Sequence, residues 1–182
     1  MGACRIFLTG QPNSGKTTAV RKICGLLNCR GKTAGGMISG EIREGGTRVG
    51  FMLEDIANAT VGVLAHVNIR EGPRVGRYRV NFADISHVGV TAILNALSNA
   101  DVVVIDEIGP MELCSSAFVD AANKALCSPK PLVGTIHHNA SHSMIKSIKA
   151  NQQYEILEVT AQNRDQVPLV VDEKLKEADK LV

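Results

Sequence analysis

The chain has 182 residues, 45% of them hydrophobic and 21% charged, with a formal net charge of +2. That balance belongs to a globular chain able to bury a sizeable core, not to a disordered one. The charge is too mild to argue for a nucleic-acid or membrane partner, and an aromatic content of 3% with no Trp gives poor support to a stacking platform for single-stranded nucleic acid.

Met1-Gly2-Ala3-Cys4-Arg5 runs straight into the first apolar segment, so no secretory leader is expected. The myristoylation pattern fails at Ile6. No apolar run approaches membrane-spanning length, and no membrane partner is expected. Five scattered cysteines without a C-x-x-C (Cys4, Cys24, Cys29, Cys114, Cys127) are read as buried or neutral thiols in a reducing, cytoplasmic setting.

A strand is predicted over 5–9, with Ile6-Phe7-Leu8 as its apolar centre. Gly10-Gln11-Pro12-Asn13-Ser14-Gly15-Lys16-Thr17 follows and fits G-x-x-x-x-G-K-[ST], the phosphate-binding P-loop. A helix over 16–29 places Val20, Ile23, Cys24 and Leu27 on one face, and Gly31 stands where a left-handed cap is expected. Strand, glycine-rich turn and helix are the setting this motif requires. A triphosphate tail needs many hydrogen-bond donors and little bulk, which loop amides and a helix N-terminus supply. Gly10 and Gly15 permit the close approach, Lys16 reaches the β- and γ-oxygens, and Thr17 offers its hydroxyl to Mg²⁺.

Residues 33–51 contain two strand-like runs joined by Glu44-Gly45-Gly46, a hairpin signal. An extended piece is predicted over 61–66, a loop rich in charge, Gly and Pro over 69–76, and another extended piece over 77–80. Asp84 or Ser86 is expected to cap a helix running to Asn99. Val102-Val103-Val104-Ile105 reads as a fully buried parallel strand. A helix over 115–126, a strand over 132–136, a helix over 142–150, a strand over 154–159 and a closing helix over 172–181 complete the chain. Strands alternating with helices predict an α/β fold with a mostly parallel sheet covered on both faces. The expectation is a single domain spanning residues 1–182 with an inserted hairpin region near 36–80.

The chemistry beyond phosphate binding is expected where the apolar strand ends in Asp106-Glu107, the end at which open α/β sheets bind ligands. Asp106 would hold Mg²⁺, usually through a water. Glu107 would orient or deprotonate a water for attack on the γ-phosphorus. The stretch Val103-Val104-Ile105-Asp106-Glu107-Ile108-Gly109-Pro110 is therefore assigned to the nucleotide site. Asp106-Glu107-Ile108-Gly109 also fits the D-x-x-G element of GTPases, but Asn123-Lys124-Ala125-Leu126 lacks the aspartate that reads guanine. Weak discrimination between bases is expected instead. Transition-state charge calls for arginine, and Arg43, Arg48, Arg70, Arg74, Arg77 and Arg164 are candidates, with Arg74 and Arg43 chosen. Asn163-Arg164, after the last strand, is placed against the nucleobase. His137, His138 and His142 lack the further ligands of a zinc site, and Thr135 or His137 is read as sensing the γ-phosphate or the water.

These residues together resemble the THEP-type nucleoside-triphosphatases, also called the cancer-related nucleoside-triphosphatase family. The likeness runs from Phe7-Leu8-Thr9-Gly10 through Thr18, which joins the phosphate-binding set, to Gly36, Glu41, Arg43, Gly46, Arg48, Gly50 and Phe51 in the hairpin. It continues through Arg74-Val75-Gly76-Arg77-Tyr78, Asp106 to Leu113, Gly134-Thr135-Ile136, and Thr160 with Asn163-Arg164-Asp165. The resemblance implies a RecA-like P-loop fold, a three-layer α/β/α sandwich, and Mg²⁺-dependent hydrolysis of ATP, GTP and other nucleoside triphosphates. The hairpin departs from the family at Gly36-Met37-Ile38-Ser39-Gly40-Glu41, where an aromatic pair and two adjacent acids are common, and Gln162 replaces a common acid. A kinase passing the γ-phosphate to a small molecule or a nucleic-acid 5′-hydroxyl is the alternative, and a nucleotide-gated switch is a third reading.

Overall fold

The computed structural model describes residues 4–180. In chain order the elements are β1 (Arg5–Thr9), α1 (Lys16–Cys29), β2 (Ala34–Glu44), β3 (Thr47–Asp55), β4 (Val61–His66), β5 (Arg74–Val75) and β6 (Tyr78–Val80). A short α2 (Phe82–Asp84) runs through a π-helical stretch, Ile85–Val90, into α3 (Thr91–Asn99). Then come β7 (Val102–Ile108), a 3₁₀ turn (Glu112–Cys114), α4 (Ser116–Cys127), β8 (Leu132–Ile136), α5 (Ser143–Ala150), β9 (Glu155–Glu158) and α6 (Val167–Asp179).

Among the described residues, the nine strands lie in one sheet, ordered β5-β6-β4-β3-β2-β7-β8-β1-β9. The pairs from β2 through β9 are parallel, and β3 to β6 extend the sheet antiparallel on one side. Successive side chains of a strand point to opposite faces, and the buried runs divide accordingly. Ile6, Leu8, Val102 and Val104 pack with Val20, Ile23 and Leu27 of α1 and Val171 and Leu175 of α6. Phe7, Val103 and Ile105 pack on the other face with Ile93 of α3, Phe118 of α4 and Ile145 of α5. This is the expected three-layer α/β/α arrangement. One strand, β8, separates β1 from β7, so the loop leaving β1 and the acids ending β7 meet across the end of β8.

Several elements differ from the sequence reading for identifiable reasons. The hairpin grows out of a core strand. The first half of β2 pairs in parallel with β7, from Ala34 opposite Val102 to Ile38 opposite Asp106, and its second half runs on past the sheet as the hairpin with β3. β3 extends to Asp55, and the Gly/Pro-rich loop contains β5, paired with β6. The helix before β7 is capped by Asn81, whose side chain accepts from the backbone of Ala83 at 3.1 Å and Asp84 at 3.3 Å, rather than by Asp84 or Ser86. The last helix begins at Val167, five residues earlier than read, with Pro168 in its first turn where a missing N–H costs nothing. Its expected end at Leu181, and the Met1-Gly2 start, lie outside the described residues. Cys24 is buried and Cys4 half-buried, but Cys29, Cys114 and Cys127 are exposed, so burial does not hold for all five thiols. No helix among the described residues is long and apolar enough to cross a membrane.

The close approach of β2 to β7 depends on Gly36. Its φ is +120°, and a Cβ there would lie 2.0 Å from the Val104 carbonyl oxygen. Neither the dihedral nor the space admits a side chain. Gly36→Ala should therefore destabilise the fold by about 3 kcal/mol or more, read as a fall in denaturation midpoint; an unchanged midpoint would contradict this packing.

Candidate active site

The P-loop takes its shape from three residues with positive φ: Gly10 at 146°, Asn13 at 64° and Gly15 at 103°. A Cβ on Gly10 would meet the Val159 carbonyl oxygen at 2.4 Å and Ser14 Oγ at 2.9 Å, so glycine is required where the loop turns away from β1. The Ser14 amide donates to the Gln11 carbonyl at 3.1 Å, closing the loop, and the Ala19 amide donates to the Gly15 carbonyl at 2.9 Å as α1 begins. Lys16 Nζ donates to the carbonyls of Gly10 at 3.1 Å and Gln11 at 3.3 Å, which holds it over the cradle.

Asp106 is fully buried. Its Oδ1 accepts from the Thr135 hydroxyl at 2.6 Å, so Thr135 positions the acid. Burial pushes the Asp106 carboxyl up, while Thr135, then Thr17 and Lys16, pull it back. Asp106 Oδ2 is buried without a hydrogen-bond partner in the protein. A lone acceptor aimed beside Thr17 and Lys16 fits the outer sphere of a hydrated cation. Glu107 follows across a cis peptide bond. Burial pushes its carboxyl up to about 7, with a smaller lowering effect from Lys16 and a smaller raising effect from the Asp106 charge.

P-loop residues, Glu107 and the hairpin strands line one cavity of about 580 Å³. Of the predicted site, Gly10, Pro12, Asn13, Gly15, Lys16, Thr17, Thr18, Glu107 and Pro110 line it; Gln11 and Ser14 belong to the loop that shapes it. Val103, Val104, Ile105 and Ile108 are wholly buried in the core, so their side chains deliver Asp106 and Glu107 to the site without facing it. Gly109 is buried between Glu107 and Glu112. His137 lines the cavity, and burial and then Lys16 hold its imidazole below the usual range. His142 instead caps α5, accepting from the Met144 amide at 3.2 Å.

The arginines are redistributed. Arg43 is exposed and bound to Glu41 and the Gly46 carbonyl, and Arg74 is exposed and donates to the Gly76 carbonyl; neither lines the cavity. Arg48, a candidate the sequence reading passed over, does line it. Its guanidinium donates to Glu41 at 2.6 Å and Tyr78 Oη at 3.1 Å and lies 4.9 Å over the Phe51 ring. Burial opposes the charge on Glu41, but bonds from Arg48 and Arg43 hold its carboxyl below the usual range. Arg74 faces away because its neighbour Val75 faces in, an alternation set by register rather than composition. Asn163 closes its own turn, its Oδ1 accepting from the Thr160 amide and its Nδ2 donating to the Glu158 carbonyl, both at 2.8 Å. Arg164 is exposed and packs beside the P-loop, its Cδ 3.4 Å from where a Cβ on Gly15 would stand.

Glu112 was not chosen from sequence, although it closes the acidic motif. It is 5% exposed. A Cβ on Gly109 would stand 3.1 Å from both Glu107 Oε1 and Glu112 Oε2. Burial, and then the Glu107 charge, push Glu112 up to about 8. A carboxyl raised on folding takes up a proton between its unfolded and folded values, so its burial costs stability increasingly as pH rises from about 4.5 to about 8. Glu112→Gln should raise the melting temperature relative to the parent at pH 9 and show little advantage at pH 5. A constant difference across that range would refute the buried-acid assignment.

The family model described as NTPase matches residues 5–171. The nucleoside-triphosphatase THEP1 of Thermofilum pendens is 49% identical over 169 residues, covering 92% of this chain and 93% of that protein. That of Methanosarcina acetivorans is 42% identical over 165 residues, covering 90% and 92%. Among solved structures, THEP1 from the hyperthermophile Aquifex aeolicus superposes with a TM-score of 0.82 at 28% identity, covering 92% of this chain and 96% of that one. A human cancer-related nucleoside triphosphatase superposes with a TM-score of 0.80 at 30% identity, covering 96% and 98%. With the P-loop, the acidic pair and the sheet order of such a fold already in place, the chain belongs to the NTPase family, in company with the THEP1 nucleoside-triphosphatases.

Proposed function

We propose that the chain hydrolyses nucleoside 5′-triphosphates, ATP and GTP among them, to the diphosphate and phosphate in an Mg²⁺-dependent reaction. The observation that carries this reading is the placement of Glu107 in the same cavity as Lys16 and the P-loop. Loop amides and Lys16 bind the phosphate oxygens. The Glu107 carboxylate accepts the proton of the attacking water, and a value near 7 suits a base working at neutral pH. Arg48, pre-set by Glu41 and Tyr78, neutralises charge on the transferring group. Thr17 and the buried Asp106 would hold Mg²⁺ together with the nucleotide. When bound, the ion screens charge on the β- and γ-oxygens.

Weak base discrimination is supported by the engaged Asn163 amide and by the position of Asn123 and Lys124 inside α4, where they cannot form a guanine-reading loop. The five free thiols favour a reducing, cytoplasmic setting.

Lys16→Ala should abolish nucleotide binding and turnover together. Glu107→Gln should retain nucleotide affinity while kcat falls by about a hundredfold or more; an unchanged kcat would remove Glu107 as the base. Arg48→Ala should lower kcat by about a hundredfold, whereas Arg43→Ala and Arg74→Ala should stay within about twofold. Phosphate release from an NTP panel, with and without Mg²⁺, measures turnover, and equilibrium titration with a non-hydrolysable nucleotide measures binding.

A further inference from the structure

Hydrolysis needs room for one water, whose share of the liquid is about 30 Å³. The cavity of about 580 Å³ takes in the P-loop phosphate site and also extends past β7 to β3, β4 and β5, where its wall is not built for phosphate. There Phe51, Leu64, Val75 and Met111, from β3, β4, β5 and the turn after β7, present apolar surface. Such side chains leave a triphosphate's oxygens without partners. Ser39 and the Arg48–Glu41 pair add a polar edge. Arg48 is fixed on Phe51 and Tyr78 before any ligand arrives, as in a preorganised pocket. Glu107 stands between this lobe and the P-loop, with Glu112 beside it.

The charges of the lobe point to a neutral occupant. Glu41 and Arg48 compensate each other, and the Glu107 carboxylate that takes the proton disfavours an anion beside it. The arginines at its rim are engaged with the wall itself: Arg74 donates to the Gly76 carbonyl, Arg77 to that of Arg48 and Arg79 to that of Gly72. A formal net charge of +2 over the chain gives little basic excess for a nucleic-acid backbone.

We propose that this lobe is an acceptor pocket, in which the chain passes the γ-phosphoryl group of the bound triphosphate to the hydroxyl of a neutral, nucleoside-sized alcohol with an apolar body. The inference rests on the phosphate and Glu107 assignments made above and extends them. The hydroxyl oxygen forms a bond to the γ-phosphorus, and the bond from that phosphorus to the β,γ-bridging oxygen breaks. The hydroxyl proton passes to the Glu107 carboxylate, the diphosphate leaves with the bond pair, and a phosphate monoester is formed. Hydrolysis is the same step with water in the hydroxyl's place.

The test incubates the full chain with Mg²⁺, γ-labelled ATP and, in separate reactions, adenosine, uridine, an aryl-methanol, ribose or a 5′-hydroxyl oligonucleotide. Labelled phosphate is then partitioned between inorganic phosphate and ester. The expected result is labelled ester on a nucleoside or the aryl-methanol. Val75→Asp, which charges the wall, and Val75→Phe, which fills the lobe and keeps it apolar, should each lower ester formation by at least about tenfold. Acceptor-free phosphate release and the KM for ATP should stay within about twofold of the parent in both variants. Label in inorganic phosphate alone across the panel would overturn the pocket and leave the hydrolase reading standing. Ester confined to the oligonucleotide, or undiminished in both variants, would overturn the assigned class. A raised KM for ATP in both would place the nucleobase in the lobe and overturn it as well. No release of label from ATP at all would overturn both readings.

Discussion

The site depends on one buried carboxylate. Asp106 is delivered to the end of β7 by Val102-Val103-Val104-Ile105, which the two helical layers grip from opposite faces. Once there it is wholly shielded from solvent, and the Thr135 hydroxyl from β8 takes one of its oxygens. An acid held this deeply is costly unless something satisfies it. Thr135 on the neighbouring strand, with Thr17 and Lys16 at the start of α1, favours the charged acid, and its Oδ2 stays unpaired, so in the proposed reading a hydrated cation would satisfy it. The sheet order makes this possible, since β8 lies between the P-loop strand and the acidic strand and contributes the intervening hydroxyl.

The antiparallel extension converts this generic site into a particular one. β2 begins as a core strand beside β7 and continues past it, so Ser39, Glu41 and, across the hairpin, Arg48 and Phe51 stand over the chemistry as part of the same sheet. The wall is thus positioned by a rigid scaffold rather than by a loop. Arg48 gains its fixed direction from three neighbours at once, a carboxylate, a phenol and an aromatic face.

Much of this was legible in the chain. The P-loop announces itself because every fixed position has a local reason, and the apolar run ending in Asp106-Glu107 could be placed beside it by the geometry of parallel sheets alone. The boundaries of β1, α1, β4 and β8 follow directly from local patterning. What escaped reading depends on long-range register. Arg48 rather than Arg43 or Arg74 faces the cavity because of how β2, β3 and β5 pair, and three arginines in similar polar contexts look alike until that pairing is known. The turn that Asn163 closes, with one bond to each end of its amide, is likewise set by the fold and not visible in the sequence. Glu112 could have been flagged by its place in the acidic motif, but its burial against Glu107 arises only from the 3₁₀ turn that folds it back.

The most direct measurement is a crystal structure of the chain with Mg²⁺ and a non-hydrolysable ATP analogue. The account predicts phosphates seated on the amides of the Gly10–Thr17 loop with Lys16 on the β- and γ-oxygens, the metal beside Thr17 and Asp106, and Glu107 facing the γ-phosphorus. Phosphate density away from Lys16, or Glu107 turned from the γ-phosphate, would contradict it.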